Sequence, residues 1–404
     1  MAVPRRPRPP LPVLAAVLGV LLLVFGVWVG GRHSTWLPGP LRAALVGDEH
    51  TAVVKEAIND VHRTYYREIP KDQLADDAIA GVVRNLHDRF SNYFDPTQYA
   101  RFKESQGSRF SGIGVAITGA ANGLRVQVVY DGSPAKRAGL RAGDVIVTAA
   151  GKSLKGRPEQ DAVGLIKGPP GTDVRLTWLR DGRRISRRVG RSTVTVPVVA
   201  SQMRSGPACG KVGVVRLAQF SSGAHAEVYG ALRRELRRGA KALVLDLRDN
   251  GGGLVDEAQL VGSAFLRDGP IVTTRGRAVP TRTLRATGDP VVASQPLVVL
   301  VDGGTASASE IVAGALQDRH RATIVGTRTF GKGVFQEVVE LSNGGALDIT
   351  AGQYFTPSGR NLGGRGVSRG SGIQPKVRAK DDPGTKRDEA LQRALSVLAG
   401  QCRG

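Results

Sequence analysis

The chain has 404 residues, 41% of them hydrophobic and 5% aromatic, with 53 glycines; this excludes a disordered chain and implies two or three folded units at roughly 150 residues each. A formal net charge of +22 raises nucleic-acid binding, but the basic residues are mostly arginine, spread over the whole chain, and lack the interleaved aromatics of a stacking groove. Two cysteines, Cys209 and Cys402, exclude a zinc cluster and a disulfide-dense scaffold, and leave open whether one bridge forms. No nucleic-acid partner is expected. The charge instead reads as a solvated basic surface that favours anionic lipid or acidic partners.

The first element covers residues 11–30, LPVLAAVLGVLLLVFGVWVG, and carries no charge. At about 1.5 Å per residue it matches a hydrocarbon core of roughly 30 Å. Arg5, Arg6 and Arg8 precede it, so the positive-inside rule predicts a cytoplasmic amino terminus and an extracytoplasmic remainder. The alternative is a cleaved signal peptide, against which stand the length of the apolar run and the lack of an Ala-x-Ala site. Residues 1–35 are thus expected to be a tail and an uncleaved signal-anchor in a single-pass, bacterial-type cell membrane.

Residues 36–104 carry apolar side chains at helical spacing, as in Ala57, Ile58 and Val61, then Ala78, Ile79, Val82 and Val83. They predict a helical region that closes on Asn92-Tyr93-Phe94-Asp95-Pro96. From residue 107 the period changes to alternation in short segments such as Leu124-Arg125-Val126-Gln127-Val128 and Val174-Arg175-Leu176-Thr177-Trp178. Between them, Ser133-Pro134-Ala135-Lys136 opens a short helix and Ala142-Gly143-Asp144 makes a tight turn. In this order the elements resemble a PDZ domain over residues 105–191. The resemblance implies that Gly112, Ile113, Gly114 and Val115 offer backbone N–H groups to a terminal carboxylate, with the peptide added as a strand at the sheet edge. A spacer whose glycines only serve turns is the alternative.

Residues 183–191 read as a basic linker into a third region, residues 192–382, which mixes apolar strands near 212–217 and 242–247 with helices near 225–238 and 309–317. That mixture predicts a layered α/β domain, followed by a helical tail over 383–404; residues 363–366 read as a flexible loop. The whole is a multidomain α+β chain.

Within the third region, Ser307 lies at the start of an apolar-striped helix carrying Ile311, Val312, Ala315 and Leu316, where free N–H groups and the helix dipole favour developing negative charge. Lys332 lies between glycines and near Phe330 and Phe335. Burial among such aromatics would lower its proton affinity toward that of a working base, about 7 to 8.

Ser307-Ala308-Ser309-Glu310-Ile311, Ala315-Leu316-Gln317-Asp318 and Thr329-Phe330-Gly331-Lys332-Gly333 together resemble the carboxyl-terminal processing peptidases, or tail-specific proteases. Asp246-Leu247-Arg248-Asp249-Asn250-Gly251-Gly252-Gly253 and Tyr354-Phe355-Thr356-Pro357-Ser358-Gly359-Arg360 extend the match. The resemblance implies a serine endopeptidase with Ser307 as nucleophile, Lys332 as general base and Gln336 as the residue that orients it. It further implies an oxyanion hole from the N–H groups of Gly253 and Ala308, a supporting role for Asp318, and no cofactor or metal. Its partners would be protein or peptide substrates held by their carboxyl termini. Gly372-Ile373-Gln374-Pro375-Lys376 places a base where the family commonly has an acid. Asp246 reads as structural, and a Ser-His-Asp arrangement through His320 has no motif support. The competing function from another class is a non-catalytic PDZ scaffold at the membrane.

Overall fold

The computed structural model describes residues 49–363 and 371–403, together with Gly19. The expected membrane span at residues 11–30 lies outside the described residues except for Gly19, and most of the 363–366 loop lies outside them too. Among the described residues no helix is long and apolar enough to cross a membrane.

Two compact units divide the chain, residues 1–82 and residues 83–404. In the first, helix Glu49–Thr64 is followed by a helix that begins at Lys71 and runs to Arg84. Their junction is tied by His62 Nδ1 to the Ile69 carbonyl and by Lys71 Nζ donating to Asn59 Oδ1, both at 2.8 Å.

The second unit starts with a departure from expectation. Asn92-Tyr93-Phe94 does not merely close a helical region: it is a short strand antiparallel to Ala346–Phe355, Asn92 opposite Asp348. Its pairing partner lies some 250 residues away, beyond the reach of local pattern. Asp95 then caps a further helix, Pro96–Gln106, through a reciprocal box with Gln98.

Residues 109–195 build the β-rich domain. Its sheet runs in the order Val115–Ala120, Gly123–Val129, Val145–Ala149, Asp173–Arg180, Arg183–Gly190. Alternation turns Val174, Leu176 and Trp178 into a core with Ile113, Leu124 and Ile146. The expected basic linker at 183–191 is in fact the last of these strands, paired residue for residue with Asp173–Arg180. Only Ile185 and Val189 of it turn inward and the arginines face water, so an edge strand reads from composition as a linker. The chain enters and leaves this domain through Arg109–Gly112 and Ser192–Thr195, which pair antiparallel as a two-stranded neck.

The α/β domain is centred on a sheet in the order Val199–Gly206, Gly210–Leu217, Ala242–Asp246, Leu297–Val301, Thr323–Gly326, Val377–Arg378. All pairs after the first are parallel. Ala242–Asp246 and Leu297–Val301 are buried at every position, as expected of parallel strands covered on both faces. Helices Ala224–Arg237, Val255–Ser263 and Ala308–Asp318 cover one face, and helix Glu389–Gln401 the other. A second, antiparallel sheet holds Pro270–Gly276, Arg282–Arg285, Val334–Glu340 and Ala346–Phe355 beside strand Asn92–Phe94.

Cys209 and Cys402 are joined as a disulfide, which resolves the alternative the sequence left open. The bond clamps the end of helix Glu389–Gln401 to the sheet across a separation of 193 residues. In the chain-entropy view such a loop contributes about 5 kcal/mol. Reduction, or Cys402→Ser, is therefore expected to lower the thermal unfolding midpoint by several degrees. Coincident melts with and without reductant would contradict this.

Candidate active site

Three loops meet at the carboxyl ends of the central strands. The first follows strand Ala242–Asp246. Asp246 gives its carboxylate to Arg248, which also holds Asp381 and Asp388, so it locks the base of the site and the cap of the last helix. Burial opposes the guanidinium's charge, yet the Asp246 bond outweighs it and holds the arginine protonated. Asn250 then organises the glycines: its side chain donates to the Leu217 carbonyl at 2.8 Å and accepts the Gly252 N–H at 2.9 Å.

The second loop follows strand Leu297–Val301. Asp302 Oδ1 accepts the N–H groups of Asp249, Gly304 and Thr305 at 3.0, 2.9 and 3.0 Å. The Ala306 N–H and the Ser309 hydroxyl both donate to the Asn250 carbonyl, at 3.0 and 2.8 Å, stitching this loop to the glycine loop. Ser307 follows at φ 55° and ψ −117° and is 6% exposed. A non-glycine residue in such a conformation stores strain that only over-determined surroundings sustain. The contact with the first loop is too close for any side chain at Gly252, where a Cβ would lie 2.8 Å from Ser307 Cβ and 2.7 Å from the Ala306 carbonyl.

The third loop carries Lys332 into strand Val334–Glu340. A bulge between Phe335 and Gln336 re-aims the glutamine, and Lys332 Nζ donates to Gln336 Oε1 at 2.8 Å. Burial pushes the lysine's proton affinity below its ordinary value, against the pull of Asp348 and Asp88. The aromatic face beneath the ammonium is not Phe330 or Phe335 but Phe90, 5.1 Å from Nζ to the ring centre. Phe335 packs instead on Tyr354, with ring centres 5.6 Å apart.

Glu310 joins the second and third loops. Fully buried, it accepts the Ser307 and Lys332 N–H groups on Oε2 at 3.0 and 2.9 Å. Its Oε1 takes the Thr329 hydroxyl at 2.5 Å and the Gly331 N–H at 2.8 Å. Burial raises the phenol of Tyr354, and a hydrogen bond with the Ser307 hydroxyl opposes that rise. No hydrogen bond joins Ser307 Oγ to Lys332 Nζ among the described residues, although Glu310 gathers their backbones.

The Ala308 and Gly253 N–H groups have no acceptor among the described residues, while Gly252 has spent its own on Asn250. Asp318, at the far end of the Ser307 helix, accepts from Ser358 N–H at 3.0 Å and Ser358 Oγ at 2.6 Å, and pairs with Arg360. It pins the turn after Tyr354. His320 lies past the same end, about 16 Å of helix from Ser307, which removes it as a base for that serine.

The family model described as peptidase family S41 matches residues 211–377, and a PDZ domain model matches residues 125–180. The carboxy-terminal-processing protease of Bartonella bacilliformis is 39% identical over 315 residues, covering 76% of this chain and 71% of that protein. This chain belongs to peptidase family S41. A further relative is the carboxy-terminal processing protease CtpA of Bacillus subtilis, 32% identical over 341 residues, 84% of this chain and 71% of CtpA. The solved structure of a photosystem II D1 C-terminal processing protease superposes with a TM-score of 0.50 at 31% identity, covering 86% of this chain and 97% of that one. The S41 chain is therefore a serine peptidase with a PDZ domain.

In the PDZ domain, Gly112, Ile113 and Gly114 are buried at the head of edge strand Val115–Ala120. Gly114 has φ 83° and a Cβ there would meet Ser133 Cβ at 2.3 Å, so only glycine fits. The Ile113 and Gly114 carbonyls are taken by Ala135 N–H and Tyr130 N–H, at 2.8 and 3.1 Å. Further along the edge, the Gly119 N–H donates to Glu159 of helix Glu159–Ile166 at 2.7 Å, which places that helix alongside the edge strand.

Sequence reasoning assigned no role to Glu310, Tyr354, Asp88, Phe90 or Asp348. Glu310 was visible inside the serine motif. Tyr354 likewise opened the motif at 354–360 without a role being read from it, whereas nothing local marked Asp88, Phe90 or Asp348.

Proposed function

We propose that this S41 peptidase is a membrane-anchored endopeptidase that cleaves protein tails with Ser307 and Lys332. The observation that carries the reading is a half-buried lysine, its charge disfavoured by desolvation and its ammonium held by Gln336, on a loop that shares Glu310 with Ser307. Neutral Lys332 Nζ takes the Ser307 Oγ proton as Oγ attacks the scissile carbonyl; catalytic hydrogen bonds of this kind commonly tighten only with substrate bound. The oxyanion is received by the N–H groups of Ala308 and Gly253, the former at a helix amino terminus. The lysine ammonium then protonates the leaving amine; water attacks the acyl-enzyme while giving a proton to the same lysine, which returns it to Ser307 Oγ as the acyl bond breaks. The Ser307 hydroxyl returns to Tyr354 when free.

The PDZ domain holds the substrate's terminal carboxylate at residues 112–115 and takes the tail as a strand beside Val115–Ala120. An unbroken apolar run at residues 11–30 after three arginines supports the anchor, and the disulfide suits an oxidising, extracytoplasmic compartment. A non-catalytic scaffold offers no reason to bury a lysine.

The test uses the full chain in membranes, incubated with a polypeptide bearing either a free or an amidated carboxyl terminus. Cleavage of the free form should be at least about tenfold faster, since amidation removes the charge the PDZ loop binds, and activity should sediment with the membrane fraction. Equal rates would sink tail recognition, and soluble activity would sink the anchor.

A further inference from the structure

Lys332 is faced by a segment that precedes both the PDZ domain and the catalytic core. Residues 88–92 supply the Phe90 ring under its ammonium, Asp88 within its electrostatic reach, and Asn92, which lies opposite Asp348 in the sheet. Asp88 is itself fixed, accepting Ser91 Oγ–H at 2.6 Å and the Phe90 N–H at 2.9 Å. Ser91 Oγ in turn accepts the Thr350 N–H at 3.0 Å, and Thr350 Oγ1 accepts from Gln336 Nε2 at 3.2 Å.

The polarity of this chain follows from its two ends. An ionised carboxylate has no proton to give, so Ser91 donates to Asp88 and keeps its lone pairs for the Thr350 N–H, while a lysine ammonium has only donors and so must face the Gln336 oxygen. Gln336 must then present Nε2 to Thr350 and Oε1 to Lys332. The flipped amide would set two donors against each other at the Lys332 ammonium, and in the neutral amine it would occupy the lone pair that the reaction needs. With one lysine proton committed to Gln336 Oε1, the lone pair of the neutral amine has a defined direction.

We propose that Asp88 and Thr350 are positioning residues of this peptidase, orienting the Gln336 amide and through it the Lys332 lone pair. The proposal rests on Lys332 acting as the base for Ser307. It makes the segment before the PDZ domain a part of the active site's support, joined to it by strand Asn92–Phe94. The charged groups around Lys332 are Asp88 on that segment, Asp348 on strand Ala346–Phe355, and Arg89, whose guanidinium covers the rings of Phe90 and Phe330 at 5.1 and 5.4 Å. Burial alone would raise the Asp88 carboxyl, but its bonds to Ser91 and the Phe90 N–H keep it below its ordinary value and ionised.

The test compares Thr350→Val, Thr350→Ser, Asp88→Asn and Lys332→Ala in the full chain, with a fluorogenic peptide bearing a free apolar carboxyl terminus. Thr350→Val should lower kcat at least about tenfold with KM within about twofold, because orientation is lost and binding is not. Thr350→Ser, which keeps the hydroxyl, should recover most of that loss. Asp88→Asn should move the acidic limb of the rate profile to lower pH, since removing the facing negative charge favours the neutral lysine. A Thr350→Val kcat within about twofold of wild type, or an unmoved profile for Asp88→Asn, overturns the proposal. Should Lys332→Ala retain turnover, the dyad reading fails instead; its inactivity with unaltered Thr350→Val kinetics rejects positioning alone.

Discussion

Replacement of Ser307 by alanine, or of Lys332 by alanine, is expected to lower kcat by at least about a thousandfold, and the double variant should be no slower than either single one. Residues that act as one unit lose nearly everything when either is removed. The fold should persist in Ser307→Ala, because the loop is held by Glu310, Asn250 and Asp302 through backbone atoms and neighbouring side chains rather than by the hydroxyl. Wild-type rates should rise with pH. The sign follows from the proposed base: if Lys332 acts as the neutral amine, the desolvation that lowers its proton affinity puts activity on the alkaline side of a midpoint below 10.5, the ordinary lysine value. Initial rates across the alkaline range, with circular dichroism on each variant, check both points. Turnover by either variant near the wild-type rate would remove the dyad.

Glu310 should show the largest stability effect. Its two oxygens satisfy four donors inside the protein, and each donor left unpaired in a buried site costs about 1 to 3 kcal/mol. Glu310→Ala is expected to lose more than about 3 kcal/mol, measured by denaturant unfolding. Glu310→Gln is the sharper test. Either orientation of the new amide sets its NH₂ against a backbone N–H, of Gly331 on one side or of Ser307 and Lys332 on the other, so a near-isosteric change should still destabilise the protein and slow catalysis. Wild-type stability in Glu310→Gln would show that the four donors are not held as described.

Glu310 also marks where local reading stops. It sits three residues after Ser307 in a helix-capping position, and such a glutamate ordinarily reaches back to its own cap. Here the same carboxylate also ties Thr329, Gly331 and Lys332, a role visible only once the Lys332 loop is laid over the helix start. Arg183–Gly190 is the opposite case. Its arginines gave it the look of a linker, yet Ile185 and Val189 at alternate-face spacing mark a strand that needs only one apolar side. The aromatic wall of Lys332 was sought among its sequence neighbours, but the bulge at Phe335 turns that ring to Tyr354 and leaves the wall to Phe90.

The sequence by itself determined what periodicity and short motifs can encode. It carried the PDZ elements in order, the buried parallel strands as unbroken apolar runs, the S41 membership, and Ser307 and Lys332 as candidates 25 positions apart. Only the tertiary structure decided which groups face them. The disulfide of Cys209 with Cys402, the Glu310 junction, and the Asp88, Thr350 and Gln336 chain join residues that strands and loops bring together across long stretches of sequence. The reason is physical. Burial and hydrogen-bond polarity act over a few ångströms in space, and proximity between distant segments is set by sheet pairing and packing rather than by the residues adjacent in the chain.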